Sequence, residues 1–238
     1  MGSAGARGSP ADATRATAHR AASPSPVTER GRRTRAALVE AARDVFADRG
    51  YHDATIGDIT AAADVAHGTF YTYFDSKRDL FREVVQAVVA DFQAEARTTP
   101  RRGDDPFSGI EQGNRGYLRA YARNARLMGV LEQVALVDPD LREIRLEARR
   151  YWVIRAAKRF DAWKADGVVR PEVDTSYAAH ALGAMVDRCA LLWFVIGEPG
   201  YDEDRAVAAL TDLYAHALGL PERANAEMDV PTGSGGLG

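Results

Sequence analysis

Helical periodicity is the feature that most constrains the fold of this 238-residue chain. Apolar residues in its interior recur every three or four positions, as on one face of an α-helix, and no segment shows the two-residue alternation of a half-buried strand. The first stripe carries Leu38, Ala42, Val45 and Phe46, and Gly50 follows it as a helix-ending glycine. The pattern therefore predicts an all-α protein.

Capping signals and chain breakers divide the chain into two groups of helices. Thr55 and Asp58 have the spacing of a capping box, which Ser76 and Asp79 repeat. Together with the first stripe, at 32–49, these signals predict three short helices that lead into a long one. After the breaker at 98–106, helical patterns lie near 107–123, 125–137, 139–166, 174–196 and 202–219.

This division predicts four regions. We expect a disordered N-terminal arm at 1–29, because it is rich in Ala, Gly, Ser, Pro and Arg and has no continuous apolar run. A compact unit at 30–80 precedes a larger helical domain at 81–222, and a flexible tail follows at 223–238. The most apolar stretch, 178–196, is interrupted by two charged residues, so it predicts a buried helix and not a membrane span.

Cysteine and histidine usage excludes several classes of protein. The single cysteine, Cys189, rules out an intrachain disulfide and a cysteine-based zinc cluster, and it fits a reducing, cytoplasmic setting. The five histidines form no pair at metal-ligand spacing, and neither Cys189 nor His180 has a base at a recognisable spacing. We therefore expect no metal, no cofactor and no catalytic residue.

The heptapeptide GTFYTYF at 68–74 places four aromatic side chains on one short helix. At about 100° per residue, Phe70 and Phe74 share a stripe and Thr72 points away from it. Such a helix either closes a core or presents its small outer face to a groove, where hydroxyls reach base edges and phosphates. The outer face and its flanks carry Gly68, Thr69, Tyr71, Thr72 and Tyr73.

The surroundings of the heptapeptide favour binding to DNA. A short helix and a tight turn precede it, which gives a helix-turn-helix. An Arg-rich segment just ahead of the first helix, with Arg30, Arg32, Arg33 and Arg35, suits phosphates or the minor groove. Lys77 stands at the start of the next helix, where backbone N–H groups and the helix dipole favour an anion.

The segment TRAALVEAARDVFADRGYHDATIGDITAAADVAHGTFYTYFDSKRDLFREVV, at 34–85, resembles the DNA-binding domain of the tetracycline-repressor (TetR) family of transcriptional regulators. The resemblance implies that Thr55 binds a phosphate and that Tyr73 and Lys77 hold the DNA backbone. It further implies that the residues facing the major groove are His67, Gly68, Thr69, Tyr71 and Thr72.

Two residues depart from the family pattern. Asp64 replaces the usual glycine of the turn, and aspartate tolerates a left-handed conformation better than most residues. Ala66 replaces the serine or threonine that often caps the recognition helix, a loss that costs about 1 kcal/mol.

For the larger domain, the resemblance implies dimerisation and effector binding. The last two helices would pair with their copies in a two-fold four-helix bundle, so that the dimer reads a palindromic operator; the alternative is a core formed within one chain. Their apolar stripes predict an interface made of Leu182, Val186, Cys189, Trp193, Leu210, Leu213 and Tyr214.

The remaining aromatic residues predict a cavity for a small, largely apolar effector, although each also fits a plain core position. The predicted lining residues are Tyr117, Tyr121, Met128, Leu131, Trp152, Phe160 and Trp163. Arg142, Arg145 and Arg149 form a basic row that is either a solvated face or a site for an anionic ligand. The sequence thus predicts a homodimeric, ligand-responsive regulator, most simply a repressor; the alternative is a DNA-binding regulator or architectural protein without an effector.

Overall fold

The computed structural model describes residues 28–95 and 105–220. The predicted tail and all but the last residues of the predicted arm lie outside this range. Within it the chain is all-α, as predicted, and has no strand. The helices are α1 (Glu29–Asp53), α2 (Ile56–Ala62), α3 (His67–Tyr73), α4 (Lys77–Glu95), α5 (Pro106–Arg123), α6 (Ala125–Val137), α7 (Pro139–Ala165), α8 (Thr175–Leu191) and α9 (Glu203–Leu218).

Helix α1 begins earlier and ends less simply than the sequence predicts. The Thr28 hydroxyl accepts a hydrogen bond from the Gly31 N–H, so the helix starts inside the region assigned to the arm. Gly50 has a φ of 78° and breaks the regular helix, as predicted, and one further turn leads to Asp53. The left-handed φ explains why glycine stands at this position.

The capping box at the start of α2 forms in full. The Thr55 hydroxyl accepts from the Asp58 N–H at 3.1 Å, and the Asp58 carboxylate accepts from the Thr55 N–H at 3.0 Å. At the start of α4 the Ser76 hydroxyl accepts from the Asp79 N–H and donates to the Asp79 carboxylate. These bonds satisfy N–H groups that the first helical turn leaves without partners.

The turn between α2 and α3 follows the prediction. Asp64 has a φ of 53°, so it adopts the left-handed conformation that the family's glycine would take. Ala66 makes no side-chain cap at the start of α3, which leaves the first turn of that helix uncapped by a side chain.

An aromatic core joins α3 to its neighbours. Phe70 and Phe74 are 0% and 2% exposed, and their ring centroids lie 5.7 Å apart. Phe46 of α1 and Phe81 of α4 are fully buried and meet edge to face at 5.1 Å. Because these rings come from three helices, burying them fixes how α3 sits on the unit.

Helix α4 connects the N-terminal unit with the rest of the molecule. Arg35 on α1 pairs with Glu83 on α4, and Arg82 on α4 pairs with Glu147 on α7 at 3.1 Å. Arg78 on α4 binds the carboxylates of Asp138 and Asp140 at the start of α7. A displacement of α4 therefore changes contacts in both parts of the protein.

The helical body at 105–220 surrounds a cavity. Helix α7 packs against α4, α6 and α8, and α5 packs against α4, α8 and α9. The predicted helix at 174–196 ends in a π-helical turn, Leu192–Ile196, which the sequence pattern did not reveal. At this turn a Cβ on Gly129 would lie 2.9 Å from Val195 Cγ1, so glycine permits the close approach of α6.

One helical stretch of the described chain, Thr175–Ile196, is long and apolar enough to cross a membrane by length and composition. It forms α8 with the π-helical turn and packs against α5, α7 and α9. Ala179, Leu182, Val186 and Ala190 are buried on its inner face. A core helix of a soluble protein has the same composition, so this stretch is weak evidence for a membrane span.

Candidate DNA-binding surface and internal cavity

The face of α3 opposite the core carries small and polar side chains. His67, Gly68 and Thr72 are exposed, Tyr71 is 57% exposed, and Thr69 is half-buried. A Cβ placed on Gly68 would meet no atom within 4 Å. Since both phenylalanines point inward, the predicted orientation of the heptapeptide is confirmed.

The two tyrosines of α3 differ in their surroundings. Tyr71 stacks edge to face on His67 and Phe70, with ring centroids 6.0 and 5.2 Å away. Tyr73 is half-buried and packs against the aromatic core. Tyr71 is therefore the more accessible of the two from the outer face.

Two arginines near the start of α1, Arg32 and Arg33, are held only by exposed ion pairs. Arg32 and Arg33 both bind the Glu29 carboxylate, and their side chains are 58% and 79% exposed. Exposed pairs of this kind contribute about 0–1 kcal/mol. Either arginine can therefore exchange Glu29 for a phosphate at low cost.

Lys77 has a structural role that the sequence did not predict. Its ammonium donates to the carbonyl oxygens of Tyr51 and Ala54 at 2.7 Å and of His52 at 3.2 Å. It also lies 4.7 Å from the centroid of the Tyr51 ring. Burial lowers its pKa. These bonds occupy its three N–H groups and hold the end of α1 against the start of α4.

The Thr55 hydroxyl is likewise engaged within the protein. It donates to the Asp58 Oδ2 at 2.7 Å while it accepts from the Asp58 N–H. These hydrogen bonds lower the pKa of Asp58, so its carboxylate is charged near the start of α2. A phosphate at Thr55 would have to approach beside this charge.

A cavity of about 180 Å³ lies between α4, α5, α6, α7, α8 and α9. Most of the predicted lining residues border it: Tyr117, Met128, Leu131, Trp152, Phe160 and Trp163. Val85, Val88 and Phe92 bring α4 to the same cavity, although no sequence pattern singled them out. The segment that follows the helix-turn-helix thus forms one wall of the cavity.

Tyr121 does not line the cavity, and its assignment as a lining residue was wrong. It is fully buried among Phe92, Tyr117 and Phe194, with ring centroids about 6 Å away. Its hydroxyl has no hydrogen-bond partner among the described residues. A helical spacing of four places Tyr117 and Tyr121 on one face, but only the first reaches the space between the helices.

A polar network crosses one end of the cavity. The Tyr117 hydroxyl donates to the Asp187 carboxylate at 2.6 Å, and Arg145 donates to the same carboxylate at 2.5 Å. Arg145 also binds Glu132 on α6. Burial raises the pKa of Tyr117, so this hydroxyl stays a neutral donor. The sequence signal for this network was a charged residue inside the most apolar helix.

The predicted arginine row is neither a solvated face nor one anion site. Arg142 donates to the carbonyl oxygens of Ala135 and Leu136 at the end of α6. Arg145 binds the two carboxylates of the polar network, and Arg149 donates to the His180 carbonyl at 3.0 Å. Arg149 also lies 3.7 Å from the Asp187 carboxylate that Arg145 binds, whereas Arg142 binds only the end of α6, so the three side chains do not converge on one site.

The predicted dimer interface requires correction. Leu182, Val186 and Leu210 are buried within the chain at 8%, 4% and 4% exposure, and Tyr214 lines the cavity. Cys189 and Trp193 are half-buried, and burial raises the pKa of the cysteine thiol. Only Leu213, at 53%, is well exposed. The strongest apolar stripe faces the chain's own core, so it does not mark a surface for a partner.

A different face of α8 and α9 is exposed. Tyr177, Ala181 and Ala184 lie at helical spacing along the outer side of α8, and Tyr177 is 77% exposed. Ala209 and Leu213 are exposed on α9. These exposed residues are small or apolar, and we call them together the α8–α9 outer face.

Two other features bear on the class of protein. No group of three or more potential metal ligands occurs in the described parts of the chain. His180 has an exposed side chain on α8. Together, the fold and the exposed face of α3 define a helix-turn-helix DNA-binding protein with an internal cavity in a larger helical domain.

Comparison with known proteins agrees with this class. Residues 38–84 match the family described as bacterial regulatory proteins, tetR family. A segment of 62 residues is 42% identical to the transcriptional repressor DhaR of Mycobacterium sp. (strain GP1), covering 26% of this chain and 31% of that protein. Over 203 residues, the chain is 19% identical to the transcriptional regulator EthR of Mycolicibacterium smegmatis and covers 92% of it.

Solved structures share the whole architecture. A transcriptional regulator from Rhodococcus sp. Rha1 has 25% identity and a TM-score of 0.64, with 78% of this chain and 96% of that chain covered. GusR of Salmonella enterica has a TM-score of 0.69 at 19% identity, with 81% and 98% covered. Residues 38–84 thus belong to the tetR family of bacterial regulatory proteins. The chain is a DNA-binding transcriptional regulator and not an enzyme.

Proposed function

We propose that the protein is a homodimeric, cytoplasmic repressor that binds a palindromic operator and leaves it when a small effector enters the cavity. Three similar proteins, DhaR, BepR of Brucella suis and KstR2 of Rhodococcus jostii, are named as repressors. The observation that carries the proposal is the outer face of α3, which is exposed and small while Phe70 and Phe74 anchor the helix.

The outer face of α3 enters the major groove in this proposal. Gly68 lets the backbone approach the DNA, and the Thr72 hydroxyl donates or accepts at base edges. Thr69, Tyr71 and His67 contact the flanking edges of the groove. Helix α3 contains no lysine or arginine, so affinity for the phosphates has to come mainly from elsewhere.

Phosphate contacts surround this face. Arg32 and Arg33 exchange Glu29 for phosphates, and Tyr73 adds its hydroxyl at the edge of α3. Thr55 and Lys77 lie at the starts of α2 and α4, where N–H groups favour an anion. Because the Lys77 ammonium stays bonded to its carbonyl partners, it does not donate a hydrogen bond to a phosphate. Its positive charge attracts the phosphate over a longer distance.

The α8–α9 outer face is the proposed dimer interface. Small residues such as Ala181 and Ala184 allow two copies of α8 to approach closely, and Tyr177 and Leu213 supply apolar area. Two copies of α3 would then read successive major grooves about 34 Å apart. A palindromic operator follows from the two-fold symmetry.

Effector binding acts through α4 in this proposal. This helix lines the cavity with Val85, Val88 and Phe92, and its first residue lies four positions after the end of α3. A ligand that shifts α4 changes the separation of the two α3 helices. A coupling of about 1–3 kcal/mol suffices for release.

Selection of bound fragments from the source genome tests this function. We expect one or a few sites with two-fold symmetric footprints, bound by a species of twice the monomer mass in solution. Binding to every fragment alike, without a palindrome, would favour the second candidate, an architectural DNA-binding protein without an effector. A monomer bound to an asymmetric site would contradict the dimer.

A further inference from the structure

Arg159 brings a positive charge to the cavity without a carboxylate partner among the described residues. Its guanidinium carbon lies 5.7 Å from the centroid of the Trp163 ring. Its hydrogen bond, from Nη1 to the Gly109 carbonyl oxygen, is long at 3.5 Å. Burial and the neighbouring Arg155 lower the pKa of Arg159. An anion in the cavity would compensate both effects.

The two ends of the cavity differ in charge. Arg145 and Arg159 are nearly four turns apart on α7, or about 21 Å at 1.5 Å per residue. At the Arg145 end, Asp187 and Glu132 together offset Arg145 and Arg149, so that end carries no excess charge. At the other end Arg159 lines the cavity without a carboxylate partner among the described residues. An anion is therefore attracted to the Arg159 end, and an anionic ligand has one favoured orientation.

The size and lining of the cavity limit the rest of the ligand. Its volume is about 180 Å³, whereas an engineered cavity of about 150 Å³ binds benzene. The space therefore suits a single ring or a short chain. Aromatic side chains surround it on four helices: Phe92, Tyr117, Trp152, Phe160, Trp163 and Tyr214.

We propose that the effector is a small amphipathic monocarboxylate, with its apolar body among these rings and its carboxylate paired with Arg159. Stacking on Trp163 fixes the plane of the guanidinium, which then presents two parallel N–H groups to the carboxylate. This inference rests on the proposed function, because it specifies the ligand of the same cavity.

Calorimetric titration of the full chain tests the charge of the ligand. The probes are phenylacetate and its neutral isostere phenylacetamide, and hexanoate with hexanamide to separate a ring from a chain. We expect at least one carboxylate to bind about tenfold or more tightly than its amide, the scale of a hydrogen-bonded charge.

Substitutions on α7 assign the preference to one residue. In Arg159→Gln the carboxylate loses about tenfold in affinity and the amide does not, so the preference disappears. Lys158→Gln removes the same charge from an exposed neighbouring position and keeps the preference. Arg159→Lys keeps the positive charge but loses the planar guanidinium, so its preference for the carboxylate should lie between those of the unmodified protein and Arg159→Gln.

Three results would overturn the inference. These are equal binding of carboxylates and amides by the unmodified protein, a preference that survives Arg159→Gln, and no binding of any probe up to its solubility limit. Release of operator DNA is measured separately. A carboxylate that binds without releasing DNA contradicts the proposed release, whereas release by neutral ligands alone supports the proposed function and contradicts this inference.

Discussion

The helix-turn-helix unit and the helical body use charged residues in opposite ways. Around α3 the ionic groups lie at the surface: Arg32 and Arg33 share Glu29 in exposed pairs. In the body, Arg145 is 13% exposed and binds two carboxylates beside the cavity. Surface pairs exchange readily with DNA phosphates, whereas buried pairs hold helices in place. The exposed ion pairs of the helix-turn-helix unit thus leave its surface open to a ligand, whereas the buried ion pairs of the body fix the positions of its helices.

The most damaging substitution should lie beneath the contact surface. Phe70→Ala removes a fully buried ring and should destabilise the protein by about 3–5 kcal/mol. Tyr71→Ala, at the exposed neighbouring position, should change stability by about 0.5 kcal/mol or less. Chemical denaturation of both variants measures the difference. Similar losses of stability would mean that the two aromatic faces of α3 are not distinct.

The buried network should be nearly as sensitive. Arg145→Leu leaves Glu132 without its cation and removes from Asp187 the nearer of its two arginines, so we expect a loss of about 3 kcal/mol. Arg150 pairs with Glu143 on the exposed side of the same helix, and Arg150→Leu should cost about 0–1 kcal/mol. Thermal or chemical unfolding tests both. An equal, small effect would show that the cavity network does not hold α5, α6, α7 and α8 together.

Lys77 combines the two uses of charge, because its ammonium holds backbone carbonyl groups and also lies near the proposed DNA-binding surface. Lys77→Gln removes the ammonium from three carbonyl oxygens, and we expect a loss of about 1–3 kcal/mol in stability. It should also reduce the salt slope of DNA binding by about one. Titrations at several salt concentrations measure the slope. Lower stability with an unchanged slope would leave Lys77 with a structural role alone.

A smaller effect is expected at the outer face of α3. Thr72→Val is nearly isosteric and exposed, so stability should change by about 0.5 kcal/mol or less. Loss of the hydroxyl should weaken binding to the operator more than binding to unrelated DNA. Competition binding assays with operator DNA and with unrelated DNA measure the ratio of the two affinities. Equal losses on the two would contradict a base-reading role for Thr72.

Local signals in the sequence predicted the N-terminal unit well. The capping box at Thr55, the helix cap at Ser76, the break at Gly50 and the left-handed Asp64 all depend on residues a few positions apart. Helical spacing also placed Phe70 and Phe74 correctly in the core. These features are set by backbone geometry and short-range hydrogen bonds, so one sequence contains enough information to find them.

Long-range packing limited the prediction of the body. Leu182 and Val186 have the spacing of an interface stripe, but an apolar stripe does not specify which neighbour covers it. Tyr121 shares a face with Tyr117 and still lies behind the cavity wall. The partners of Arg145 and Lys77 are distant in sequence, and only the packing of whole helices brings them together.

The central claim, that the outer face of α3 docks onto DNA, is tested most directly by the operator affinity of Gly68→Ala. A Cβ at this position meets no atom of the protein, so the free variant should be more stable by about 0.5–1 kcal/mol. We predict that its affinity for the operator falls at least about tenfold, because the methyl group separates the backbone from the base edges. Gly113→Ala on α5, also exposed and without a neighbour within 4 Å, lies off both proposed contact surfaces; it is the control and should bind the operator normally when no effector is present. Unchanged operator affinity in Gly68→Ala would contradict the account.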